Sequence, residues 1–221
     1  MIRVHHLNDS RSQRVLWLLE ELGLDYEVVR YERNPRNRLA PAELSAVHPL
    51  GKSPVVEDGD IKVAETGAIF EYLLDAYGAG RLKPPAGSDA ARQFTYWLHY
   101  AEGSAMPPLL LKLVFSMLPA RAPQLLKPLV KSIASKALAQ FVNPQLASHV
   151  AFWETSLTET GWFAGDAFTA ADIMMSFPIE AGAQRAFQPE DRPRLKRFLE
   201  QIHSRPAYQR ALERGGPYTY A

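Results

Sequence analysis

The chain contains no cysteine. Disulfides, a cysteine nucleophile and redox chemistry on a thiol of its own are therefore excluded. An excess of charge is missing too: 25 Lys and Arg stand against 24 Asp and Glu, for a net charge of +1. At that balance no attraction to nucleic acid or to an anionic membrane is expected. Long apolar runs are also absent. The longest, Met106 to Leu118, is interrupted by Lys112 and falls short of the roughly 20 residues a bilayer span needs. The opening MIRVHHLNDSRS lacks the apolar centre of a secretory signal, so a cytoplasmic protein is expected. Histidine is scarce and scattered, and only His5 and His6 are neighbours. Adjacent residues of a strand point to opposite faces, so this pair makes a poor metal site and no metal is expected.

What is present reads as a folded chain of ordinary composition, 47% hydrophobic and 22% charged over 221 residues. Residues 2–7 read as a strand, and a helical pattern runs from Ser12 to Leu22 with Gly23 placed to end it. Tyr26 to Tyr31 is a second strand, Pro41 to Val47 a short helix, and Thr66 to Tyr77 a helix with Ile69, Phe70, Leu73 and Leu74 inward. Between the last two lies His48–Thr66, HPLGKSPVVEDGDIKVAET, with two short strands joined at Asp58-Gly59. The order βαβ, α, ββ, α predicts a parallel pair extended by an antiparallel hairpin, a thioredoxin-like layout. Residues 79–88, AGRLKPPAGS, break the pattern; helical segments alone follow, over about 89–118, 122–141, 144–160, 170–183 and 192–203, with a short one after Pro206. The expected organisation is a domain over 1–80, a linker over 81–88 and an all-α domain over 89–221.

The His48–Thr66 stretch has the parts of a peptide site. A proline entering a strand can be cis, leaving the N–H and C=O of Ser53 free to pair with an extended peptide. Glu65 and Thr66 begin a helix, whose free N–H groups and dipole attract a carboxylate. Such a site suits a small anionic peptide, its middle at Ser53 and one carboxylate at Thr66. A plain hairpin followed by a capped helix is the alternative.

This arrangement resembles the site of cytosolic glutathione S-transferases, and the resemblance covers most of the chain. The family segment G-[KQ]-x-P-x-L is matched by Gly51, Lys52 and Pro54, with Val56 for leucine; its Glu-Ser pair is matched by Glu65 and Thr66. The segment G-x-x-x-[ST]-x-A-D is matched from Gly165 to Asp172, where Thr169 and Asp172 read as a capping box and Phe168 and Ile173 as a hydrophobic staple; that segment serves folding, not chemistry. The resemblance implies a thioredoxin-like α/β domain followed by an all-α domain, and a homodimer. It implies glutathione as co-substrate, a small apolar electrophile as partner, and a transferase of the detoxification kind. No nucleic acid and no membrane partner is expected.

The family activates the thiol of glutathione with a Tyr, Ser or Cys after the first strand. No tyrosine or cysteine precedes Tyr26, so the resemblance implies a serine-type enzyme similar to bacterial and fungal members. Ser10 fits the spacing S-x-x-x-R to Arg14, Ser12 is its rival, and the Asn8 amide is a third donor; either serine could instead simply cap the helix. The resemblance further assigns the glycine carboxylate to Lys52, with Arg36 and Arg38 as weaker candidates, the backbone pairing to Ser53 and Pro54, and the γ-glutamyl unit to Glu65 and Thr66. An electrophile pocket is expected between the domains, lined from Met106 to Leu118. A glutathione-dependent isomerase, dehalogenase or peroxidase, or a non-catalytic binding protein of the same fold, remains open.

Overall fold

The computed structural model describes residues 1–220; Ala221, the last residue of the expected helical domain, lies outside the described residues. Strand β1, Ile2–Leu7, leads into helix α1, Gln13–Leu22, and strand β2, Tyr26–Tyr31. Helix α1 stops at Gly23, which takes φ +65° as the sequence requires of a C-terminal glycine, and the N–H of Leu24 closes on the carbonyl of Leu19. A short helix α2, Glu43–Val47, precedes the hairpin of β3, Val55–Asp58, and β4, Ile61–Ala64; helix α3, Thr66–Tyr77, closes the unit. The sheet order is β2-β1-β3-β4, with β1 parallel to β2 and the other neighbours antiparallel.

The register decides where chemistry can sit. His5 pairs with Val55, and Val55 pairs with Ala64. The end of β1, the start of β3 and the end of β4 therefore meet at one end of the sheet. The loops that follow or precede them, residues 8–12, 51–54 and 65–66, converge there.

Residues 78–88 carry neither strand nor helix. The remainder is helical: α4 Asp89–Tyr100, α5 Met106–Arg121, α6 Lys127–Ala137, α7 Asn143–Ser156, α8 Ala170–Arg185, α9 Pro193–His203 and α10 Pro206–Gly215. Two junctions differ from the sequence pattern. A π-helical turn, Ala101–Ala105, joins α4 to α5, and another, Leu138–Val142, joins α6 to α7. The break expected before Pro144 is therefore not a break. A π-turn absorbs an extra residue, and a proline in the first turn of a helix lacks only an N–H that would go unpaired anyway. The continuous stretch Asp89–Arg121 is, by length and composition alone, long and apolar enough to cross a membrane.

Helix α8 is the centre of the helical part, buried on every face from Ala170 to Gly182. The Asp172 carboxylate starts it, accepting from Thr169 N–H at 2.8 Å, Thr169 Oγ1 at 3.0 Å and Phe163 N–H at 2.8 Å. The capping role expected of Thr169 and Asp172 is thus realised, with Thr169 donating its hydroxyl to the buried acid. Apolar side chains of the α/β part (Leu16, Trp17, Phe70) and of the helical part (Trp97, Met174, Phe198) belong to one continuous core.

Candidate active site

The loop after β1 carries the first set of groups. Ser10 is 5% exposed and Ser12 fully buried. Their hydroxyls are 2.7 Å apart, and Ser12 N–H donates to Ser10 Oγ at 3.2 Å. Ser12 Oγ lies 2.8 Å from His6 Nδ1. His6 in turn bonds the backbone of Gly215, and burial lowers its pKa to about 4. A neutral imidazole with its proton committed to the Gly215 carbonyl accepts at Nδ1, so Ser12 donates to His6. Ser12 is therefore held inward. It takes no part in capping α1, because its hydroxyl is spent on His6. Ser10 sits between Ser12 and the open end of the sheet; with the Ser12 proton on His6, the 2.7 Å contact is bridged by the Ser10 proton.

The loop is fixed from three directions. Asn8 Oδ1 accepts from Arg33 N–H at 2.8 Å, which leaves its NH2 group as the free end of the amide. Asp9, at φ +48°, accepts at one carboxylate oxygen from both the N–H (2.9 Å) and the hydroxyl (2.7 Å) of Thr219 near the C-terminus. Burial works against its ionisation, but Thr219 and the Arg38 guanidinium prevail and hold the carboxyl below its ordinary value. On the third side Arg11 and the buried Arg14 both pair with Glu102, inside the π-turn between α4 and α5. Burial alone would raise Glu102; the two guanidiniums outweigh it and leave the carboxyl below the ordinary range.

The second set lies across the sheet end. The Ser53–Pro54 peptide is cis. Ser53 Oγ donates to the His5 carbonyl at 2.8 Å and accepts from Leu7 N–H at 3.1 Å, which clamps this loop onto the end of β1. Among the described residues the N–H and C=O of Ser53 have no partner. Gly51, at φ +56°, packs so close to Ser45 that an added Cβ would stand 2.7 Å from its hydroxyl. Glu65 is exposed and takes φ +69°, a conformation that costs a non-glycine residue of order 1–3 kcal/mol. Thr66, the first residue of α3, is 5% exposed, and its hydroxyl has no partner among the described residues. Lys52 and Arg36 are exposed; Arg38 is drawn to Asp9 at 3.3 Å.

The structure thus brings Ser10, Lys52, Ser53, Pro54, Glu65 and Thr66 to one end of the sheet and places Ser12 beneath them. What the arrangement can do is accept an extended peptide at Ser53, a carboxylate at Thr66 and an anionic atom at Ser10. The sequence pattern gave no sign of His6, Asp9 or Glu102. His6 was weighed only as half of a metal pair, and no cluster of metal-ligating side chains occurs among the described residues. Of the apolar stretch 106–118, expected to line a pocket between the domains, only Pro108 and Leu109 are buried.

Comparison with known proteins agrees with this layout. The profile described as "Glutathione S-transferase, N-terminal domain" matches residues 1–75, and "Glutathione S-transferase, C-terminal domain" matches residues 117–206. "Glutathione S-transferase 1" of Saccharomyces cerevisiae is 34% identical, over 97% of this chain and 95% of its own. The crystal structure of a glutathione S-transferase from Actinobacillus pleuropneumoniae superposes with a TM-score of 0.84 at 36% identity, covering 100% of this chain and 95% of that one. A glutathione transferase homologue from Lodderomyces elongisporus, 19% identical with a TM-score of 0.77 over 96% of this chain and 97% of its own, has the same fold; it holds two glutathione molecules per subunit.

Proposed function

This chain belongs to the glutathione S-transferase family, and on that premise we propose that it conjugates the thiolate of glutathione to a small apolar electrophile, with Ser10 as the group that stabilises the thiolate. A free thiol of pKa ~8.5 is only slightly ionised near neutrality. A hydroxyl donating to the sulfur, together with the N-terminal N–H groups of α1, favours the charged form. The observation that carries the assignment is the division of labour between the serines. Ser12 donates to His6, Ser10 Oγ accepts from Ser12 N–H, and the single Ser10 proton, which bridges to Ser12 Oγ in this structure, is the one that turns to a bound sulfur. His6 and Ser12 are positioning residues in this reading, and Asn8 is a second donor at the same edge.

The peptide part follows from the other loop. The cysteinyl backbone pairs with the open N–H and C=O of Ser53, beside Pro54. The γ-glutamyl carboxylate meets Thr66 Oγ1 and the N-terminus of α3, its amino group meets Glu65, and Lys52 reaches the glycine carboxylate. No metal is needed for any of these steps. The electrophile approaches from the side of Glu102 and α5. The lack of cysteine fits a cytoplasmic setting. A homodimer is supported by the outward aromatic surface of α4 and α7, where Tyr96 and Phe152 are exposed beside an open concavity of about 680 Å³.

Titration calorimetry with glutathione tests the site. Saturable binding that Thr66→Ala weakens by about tenfold or more is expected, since a charge-assisted hydrogen bond contributes ~1.5–3 kcal/mol. No heat at millimolar glutathione would instead favour a non-catalytic member of the fold.

A further inference from the structure

We propose that the α5–α6 hairpin docks this protein on an anionic phospholipid surface. The near-zero net charge conceals a strong segregation. From Gly103 to Trp153 there is no Asp or Glu, while Lys112, Arg121, Lys127, Lys131 and Lys136 are present. The rest of the chain then carries 20 basic against 24 acidic residues and is net negative by 4. The expectation of no membrane partner rested on the sum of charges; their distribution reverses it.

The same segment exposes its apolar side chains. Leu125 is 94% exposed, Leu129 60%, Ile133 56% and Leu126 51%. Within α6 only Ala134 is buried. The two helices pack on each other, and their tip, Leu118 to Lys131, stands clear of the core. Exposed leucines flanked by cations, in a segment without acidic residues, are the pattern of an element that lies in the interface of a bilayer. The leucines enter the headgroup boundary, and the Lys and Arg side chains meet the anionic headgroups.

Three observations select this occupant. The stretch Asp89–Arg121 has the apolarity of a membrane span, yet Phe94, Trp97 and Leu98 hold its first half in the core. The chain reverses at Ala122–Gln124, so only the tip can meet lipid. A second copy docked through this patch by a two-fold axis would set the patch against itself, cation facing cation. Lipid headgroups supply the missing negative charge. Helix α5 rises about 24 Å from the π-turn that holds Glu102, so docking by the tip leaves the glutathione end of the sheet within reach of apolar molecules dissolved in the bilayer.

The test is flotation of the purified full-length protein with vesicles of phosphatidylcholine containing about one-third phosphatidylserine. The protein should float with these vesicles, and at least ~10-fold less with pure phosphatidylcholine or at ~1 M salt. Two variants read the two contributions: Leu125→Ser/Leu126→Ser/Leu129→Ser and Lys127→Glu/Lys131→Glu. Each should lose about tenfold or more in partition while keeping its far-ultraviolet circular dichroism and its turnover of a soluble chlorodinitrobenzene within ~2-fold. The replaced side chains are exposed, so misfolding is not expected to mask the result. Failure to float, or flotation that neither variant reduces, overturns the proposal. A serine variant that changes the mass by light scattering while leaving vesicle binding intact also overturns it and makes the face a subunit contact.

Discussion

A hydroxyl that donates to a thiolate is worth about 1.5–3 kcal/mol, or one to two pKa units of the thiol. Ser10→Ala should therefore raise the pKa of bound glutathione by about that much and lower kcat/KM near neutral pH by ~10–100-fold. Ultraviolet titration of the thiolate in the binary complex reads the first; an unchanged pKa would remove Ser10 from the role and leave Asn8 as donor. His6 adds a signature that sequence did not announce. Burial lowers it from 6.5 to about 4 in the folded chain, whereas the unfolded chain takes its proton near 6.5. Stability from this residue is complete above pH ~6.5 and is lost as pH falls toward ~4, by up to about 3 kcal/mol. Burial raises Asp172 to about 6, so below that pH it opposes this trend, equally in wild type and variant. Urea midpoints of wild type and His6→Asn at pH ~7 and pH ~5 isolate the histidine, with about 2 kcal/mol less acid loss expected in the variant. Equal acid losses would mean that His6 is not buried neutral.

Among elements, α8 depends most on its cap. Thr169→Ala removes a hydroxyl that donates to a fully buried carboxylate, and should lower stability by about 0.5–2 kcal/mol; an unmoved denaturation midpoint would count against the cap. This cap was legible beforehand because Thr169, Asp172, Phe168 and Ile173 act within one helical turn. The strands and α1 and α3 were legible for the same reason: alternation, helical spacing and Gly23 are local signals. Helices α5 to α7 were not. Their prolines looked like punctuation, and whether Pro144 ends a helix or sits at the start of one depends on the π-turn before it.

At the scale of the molecule, the two halves are joined through charge as well as through core. Arg14 is 1% exposed, pairs with Glu102, donates to the Met174 carbonyl at 2.6 Å and lies under the Phe177 ring. Arg14 comes from α1, Glu102 from the π-turn after α4, and Met174 and Phe177 from α8. Glu102→Gln would leave the buried guanidinium without its counter-charge, and a loss of about 2–4 kcal/mol in urea denaturation is expected. A change below ~0.5 kcal/mol would show that Met174 and solvent suffice. The pairing joins residues 88 positions apart, so no sequence window could contain it.

The sequence by itself determined the strand–helix order, the caps and turns, and most of the groups proposed here to meet the ligand: Ser10, Lys52, Ser53, Pro54, Glu65 and Thr66 belong to short motifs. Tertiary structure alone decided that the Ser12 proton goes to His6, because His6 and Gly215 approach from β1 and the end of α10. It also decided that the apolar stretch Met106 to Leu118 is largely uncovered within one chain: periodicity reports which residues share a face, and only the packed fold determines whether anything covers it.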